Sequence, residues 1–275
     1  MAATEETQRL TADEIYDAAA AGGRDELSRS TRALAFSGLA GGFTMGLTGI
    51  SVAAVRALLG EGSVANLVAM AFYPTGFVAV ILGRAQLFTE NTLYPVVLVL
   101  RDRRYIDDTL RLWATVFAAN VLGAFCFALL AANTSALRSD VGSQLVRLGV
   151  ESIGSSASAL FWSGVIGGWL IALVAWLVTA SQWTIGQIAV IWLLAFVVGV
   201  GRFAHCIAGS GEILTAVLAG RVTAGAYFYW LLFGTLGNIV GGTVIVSVLN
   251  WGQVHNARPA RVFEPKQEEP ERKAA

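Results

Sequence analysis

The sequence predicts an all-α membrane protein with six transmembrane helices, on three observations. Residues 152 to 201 contain no Asp, Glu, Lys, Arg or His, residues 222 to 254 contain none either, and arginines bracket two further apolar runs. Each uncharged run exceeds the roughly 20 apolar residues that cross a bilayer core. Hydrophobic residues make up 55% of the chain and charged ones 14%, with a mean hydropathy of +0.62, whereas about a quarter of a soluble domain is charged. The net charge is zero and no basic patch carries interleaved aromatics, so no nucleic-acid partner is expected. Cys126 and Cys206 lie far apart in apolar runs and are expected as buried free thiols. The first 32 residues are polar and no cleavage site follows, so the first span is expected to stay in the membrane.

Span 1 is expected from Ala33 to Val55 between Arg32 and Arg56, and span 3 from Leu112 to Leu137 between Arg111 and Arg138, the arginines marking the membrane edges. Span 2 begins near Val64, is apolar to Leu82, is interrupted from Gly83 to Thr92, and resumes from Leu93 to Leu100. The turn Ser181 to Gln187 divides the fifty-residue neutral run into span 4 and the first half of span 5, which is interrupted again from Gly201 to Glu212. Span 6 fills residues 225 to 250. Helices 2 and 5 are therefore expected to be broken. With the N-terminus inside, 13 Lys and Arg fall on the cytoplasmic side and 4 on the other, so both termini are expected in the cytoplasm of a bacterial-type inner membrane.

This divides the chain into a cytoplasmic segment (1–29), a six-span channel domain (30–254, halves about 30–137 and 152–254) and a disordered cytoplasmic tail (255–275). Thr11 and Glu14 form a capping-box pattern ahead of Ile15 to Ala21, which predicts a short amphipathic surface helix. Gly83-Arg84 recurs as Gly201-Arg202, and the Asn120 segment as the Asn238 segment, both displaced by 118 residues. Three spans per half make the second copy enter from the opposite side, an inverted repeat whose broken helices mark a mid-membrane pathway. The glycines Gly38, Gly41, Gly42 and Gly46, and Gly164, Gly167 and Gly168, read as close helix packing rather than phosphate loops.

Arg84, Glu90, Arg202, His205 and Glu212 all fall at membrane depth, where a central Arg or Asp costs about 2.5–3.5 kcal/mol. Two readings stand side by side. In one, Arg84 and Arg202 form structural ion pairs with Glu90 and Glu212; in the other, the arginines and the half-helix N-termini near Thr89 and Ser210 attract anions. The glutamates are expected to be mostly structural, and the arginines to serve both purposes. His205, with only Cys206 beside it and no second histidine nearby, is a poor metal ligand. It is expected to be neutral at rest and to share a proton when an anion arrives. No metal, cofactor or catalytic residue is expected, because no nucleophile with a base partner and no cofactor motif is present.

At these residues the chain resembles the formate/nitrite transporter family of pentameric anion channels. The resemblance spans the Thr11 to Ala21 helix, Gly38 to Gly46, Leu87-Phe88-Thr89, Asn120, and Phe203 to Ala208. It implies an aquaporin-like six-helix protomer, one pore in each protomer of a homopentamer, and passage of small monovalent anions and protons. It also implies a central His205 faced by Thr89, and a constriction of Leu87 with Phe77 and Tyr73. The chain departs from the family pattern at Arg84 and Arg202, usually small residues, at Ala204 for a glutamate, at Gly209 for an asparagine, and in lacking a lysine near the start of span 4. The fixed arginines are then expected to take over anion attraction. Two alternatives remain: a neutral-solute pore, disfavoured because no Asn-Pro-Ala pair occupies the breaks, and a non-conducting structural or sensory protein plugged by its Arg/Glu pairs.

Overall fold

Thr11 caps the first helix, α1 (Ala12–Ser28): its hydroxyl accepts the Glu14 N–H and the Glu14 carboxylate accepts the Thr11 N–H. That amide bond holds the Glu14 carboxyl below the usual range. The computed structural model describes residues 9–60 and 62–256, so most of the expected tail lies outside the described residues. α1 has one face packed against the protein and the other exposed. It runs to Ser28 and buries Tyr16, Ala19, Ala20, Gly23 and Leu27, and the Tyr16 hydroxyl donates to the Val97 carbonyl at 3.1 Å.

Six segments are long and apolar enough to cross a membrane: Thr31–Leu59, Ser63–Leu82, Ile106–Asn133, Ala157–Ala180, Thr184–Gly201 and Ala224–His255. The first comprises α2 (Thr31–Thr44) and α3 (Gly46–Leu59), which meet at Met45. The second comprises α4 (Ser63–Met70) and α5 (Thr75–Leu82), with an unforeseen extra break before Pro74, where proline removes a backbone donor. After the expected interruption come α6 (Tyr94–Asp102) and α7 (Ile106–Asn133). α7 begins six residues before the expected span because Asp107 and Asp108, which suggest a loop, instead complement its N-terminus.

The segment after α7 holds a helix that the sequence reading missed, α8 (Ser139–Glu151), which buries Val141, Leu145 and Leu148. α9 (Ala157–Ala180) and α10 (Thr184–Gly201) are the fourth and fifth spans, and α11 (Ala208–Leu218) follows the second interruption. The last span is not a regular helix. α12 (Ala224–Val240) passes through a π-helical stretch (Gly241–Val248) into α13 (Leu249–His255). Gly241 and Gly242 let Val165 and Thr92 approach the backbone, and Ser247 donates to the Thr92 carbonyl.

α2 crosses α7, and α9 crosses α12, through the expected glycine seams. A methyl group on Gly42 would collide with the Asn120 backbone, and one on Gly168 with the Asn238 backbone. Neither backbone can yield, since each belongs to a packed helix. Gly168→Ala is therefore expected to remove the monodisperse protein peak in size-exclusion chromatography of detergent extracts. A normal peak would show that the α9–α12 contact is not needed for folding.

Tyr16 on α1 meets His255 at the end of α13, ring centroids 5.7 Å apart, so both described chain ends share one face, here the terminal face. α8 belongs to the opposite, distal face. Both cysteines are free, but Cys126 is exposed on α7, not buried: hydropathy does not distinguish a side chain facing lipid from one facing protein.

Candidate functional site

Both interruptions begin the same way. α5 closes with Arg84 N–H on Ile81 O and Ala85 N–H on Val80 O, and α10 with Arg202 N–H on Gly199 O and Phe203 N–H on Val198 O. These are Schellman-type ends, and the capping residues Arg84 (φ 56°) and Arg202 (φ 50°) occupy the left-handed region, where a non-glycine side chain costs about 1 kcal/mol or more. The chain then turns back as loop, and a buried asparagine holds it. Asn120 accepts the Phe88 N–H and donates to the Gly38 and Gln86 carbonyls; Asn238 accepts the Cys206 N–H and donates to the Gly164 and Ala204 carbonyls. Ser37 and Ser163 each accept one further loop amide, those of Gln86 and Ala204. The two halves thus repeat one hydrogen-bond set residue for residue.

Between the loops lie Thr89 and His205, Oγ1 to Nε2 at 2.8 Å. The Ala208 N–H donates to Nδ1 at 3.1 Å. A backbone amide can only donate, so Nδ1 carries the lone pair and the ring hydrogen of the neutral imidazole sits on Nε2. Nε2–H then donates to Thr89, and among the described residues nothing takes the Thr89 hydroxyl hydrogen. Phe77 stands edge-on to the imidazole, centroids 5.0 Å apart, with Tyr73 tilted against Phe77 at 5.7 Å. Phe77, Thr89, Leu87 and His205 are buried.

A cavity opens on each side of this group. On the terminal side, about 310 Å³ is lined by Arg84, Leu87, Glu90, Glu26 and Gln187 among others. On the distal side, about 240 Å³ is lined by Tyr73, His205, Arg202, Glu151 and Glu212 among others. The two share no lining residue. Of the residues expected at the pore, Arg84 and Leu87 border one cavity, Tyr73, His205 and Arg202 border the other, and Phe77 and Thr89 line neither but touch His205.

The expected ion pairs do not form. Arg202 bonds Glu151 at 3.0 Å, not Glu212, because the unforeseen α8 carries Glu151 to it. Among the described residues no carboxylate comes within ion-pair distance of Arg84, so Glu90 is not its partner. Both line the terminal-side cavity. Glu151, Arg147 and Arg56 are site residues that the sequence reading missed. Burial pushes the Glu151 carboxyl up, but the Arg56 bond and the charges of Arg56, Arg202 and Arg147 outweigh it and hold the group below the usual range. A signal for α8 was present: Val141, Leu145 and Leu148 recur at helical spacing.

The sequence profile of the formate/nitrite transporter family matches residues 13–252. The chain belongs to the formate/nitrite transporter family. Inner membrane protein YfdC of Escherichia coli (strain K12) is 31% identical over 241 residues, covering 85% of this chain and 76% of that one. A protein named probable formate transporter, from Methanothermobacter thermautotrophicus, is 31% identical over 203 residues, covering 68% of this chain and 74% of its own. Among solved structures, an FNT family ion channel superposes with a TM-score of 0.79 at 21% identity, covering 87% of this chain and 98% of its own. The fold is accordingly the one expected for this family of transporters and channels, a multi-pass all-α membrane protein.

Proposed function

We infer that this member of the formate/nitrite transporter family passes small monovalent weak-acid anions, such as formate or nitrite, between the two cavities. The observation that carries the reading is the Thr89–His205 pair. The Ala208 amide fixes the imidazole's hydrogen towards Thr89, which leaves the Thr89 hydroxyl as a donor at the closed point between two arginine-bearing cavities. An anion leaving Arg84 or Arg202 finds there a hydrogen-bond donor backed by an imidazole N–H, so proton sharing begins where water is excluded. The arginine bias across the spans supports cytoplasmic termini in a bacterial inner membrane. A solved relative described as a pentameric formate channel with formate bound, TM-score 0.69 at 17% identity, supports a homopentamer as the assembly.

The competing non-conducting reading needs Arg/Glu pairs in the constriction, whereas the residues at that point are Phe77, Leu87, Thr89 and His205. Flux into liposomes separates the readings. Formate and nitrite should enter, more readily at lower pH if a proton is shared, and Arg84→Ala should slow entry several-fold. Absence of formate, nitrite and chloride permeability at every pH would decide for the closed protein.

A further inference from the structure

The two halves differ at one point of the repeat. Displaced by the same 118 residues, Pro74 in the break between α4 and α5 corresponds to Trp192 in the middle of the unbroken α10. The break leaves one carbonyl without a backbone donor. In a continuing helix Ala71 O would accept from residue 74 or 75, but Pro74 has no N–H and the Thr75 N–H donates to Phe72 O at 3.1 Å. The Trp192 indole Nε1–H takes that carbonyl instead, at 2.6 Å. Trp192 is half exposed, at 51%, on the outer surface of a span, where lipid offers no donor to replace it.

The same break carries the aromatic wall of the closed point. Tyr73 directly precedes Pro74 and lines the distal cavity; it tilts against Phe77, which stands edge-on to His205. The corresponding places in the second half hold Ile191 and Ala195, so both rings come from the first half alone. α10 touches the break a second time through Gly199, seven residues after Trp192 and therefore on the same helix face. A methyl group on Gly199 would lie 2.8 Å from Tyr73 Cγ, so the glycine gives the tyrosine ring its seat on α10.

We propose that Trp192 is a positioning residue for anion size: by holding the Ala71 carbonyl, its indole fixes Tyr73 and Phe77 against His205 and so limits the width of the path there. The inference rests on the anion-pathway reading and adds what decides how large a carboxylate passes. Without the indole N–H, the Ala71 carbonyl finds another donor only if the break moves, and the two rings that follow the break move with it.

The test compares entry of formate and of acetate, larger by one methyl group, into liposomes at one pH, with the leak of protein-free liposomes subtracted. Trp192→Phe keeps an aromatic ring and removes the N–H, and should raise the acetate-to-formate flux ratio several-fold. Gly199→Ala pushes the Tyr73 ring towards the cavity it lines, and should lower the ratio several-fold. It keeps the test in force if Trp192→Phe fails to fold. A merely structural tryptophan would slow both anions alike, so an unchanged ratio in Trp192→Phe, or in Gly199→Ala where only that variant folds, overturns the inference. If the wild type carries neither anion, the transport reading fails by itself, and the positioning role is read from the imidazole resonances of histidine-labelled protein in detergent. The chain has two histidines, and His255→Gln identifies the signal of His205. Trp192→Phe and Gly199→Ala should each shift that signal, because the Phe77 ring faces the imidazole; a signal left at the wild-type position overturns the positioning role.

Discussion

Thr89→Val is expected to slow formate flux about ten- to a hundredfold, because it deletes the one hydroxyl donor at the closed point. A hydrogen bond to a charged group is worth about 1.5–3 kcal/mol, and each 1.4 kcal/mol is about a factor of ten. The exchange preserves the side-chain outline, so the loss reads the donor and not the width of the path. Valine also strips the acceptor from His205 Nε2–H, which lies 2.8 Å from the threonine oxygen, and the imidazole hydrogen would then be free to meet the anion directly. Comparing Thr89→Val with His205→Ala separates the two donors. His205→Ala should alter the pH dependence of flux, since the alanine has no proton to share, and should leave the Ala208 N–H, now bonded to Nδ1, without its acceptor. Flux measured in liposomes at two pH values decides. A Thr89→Val rate equal to the wild type would sink the hydroxyl's role, and an unaltered pH profile in His205→Ala would remove proton sharing from the mechanism.

How far the sequence carried this site differs from residue to residue. The breaks were legible because charged and polar residues interrupt apolar runs, and a bilayer tolerates that only at a pathway. The 118-residue offset of Gly83-Arg84 and Gly201-Arg202 already paired the two loops, and the glycine seams announced where helices touch. What failed was partner choice for the arginines. Glu90 and Glu212 were near Arg84 and Arg202 in sequence, but the left-handed caps aim the chain away after each arginine, and Glu151 arrives on a helix more than fifty residues before Arg202. Proximity along the chain is a poor guide where an αL residue reverses direction. The burial of Cys126 was also misjudged: exposed Phe36, Leu122 and Trp162 are as apolar as the core, since lipid-facing and protein-facing positions share a composition. The π-helical stretch left no trace in hydropathy at all. Within it Gly242 lies close against Thr92, a tertiary contact between the two halves.

The largest structural effect is expected at Asn238. Asn238→Ala leaves the Cys206 N–H and the Ala204 carbonyl without the partners they have now, in a place with 0% exposure, while the Gly164 carbonyl, inside α9, loses only an additional bond. A buried group stranded in this way costs about 1–3 kcal/mol, so the two together approach on the order of 4 kcal/mol, a large part of the about 5–15 kcal/mol that holds a typical domain. The loop would not move as a whole. Cys206 is the residue after His205, so loss of its anchor lets the imidazole leave Thr89, and the variant that folds at low temperature should carry formate poorly. Asn120→Ala should behave alike, since it strands the Phe88 N–H one residue before Thr89. Asn250→Ala supplies the comparison: its side chain donates once, to Val246 within the same span, and its loss should change the melting temperature little. Thermal melting of the three purified variants tests the idea directly. If Asn238→Ala melts as late as Asn250→Ala, the loop is held by the Schellman ends and by Ser163 alone, and the asparagine is not what places His205.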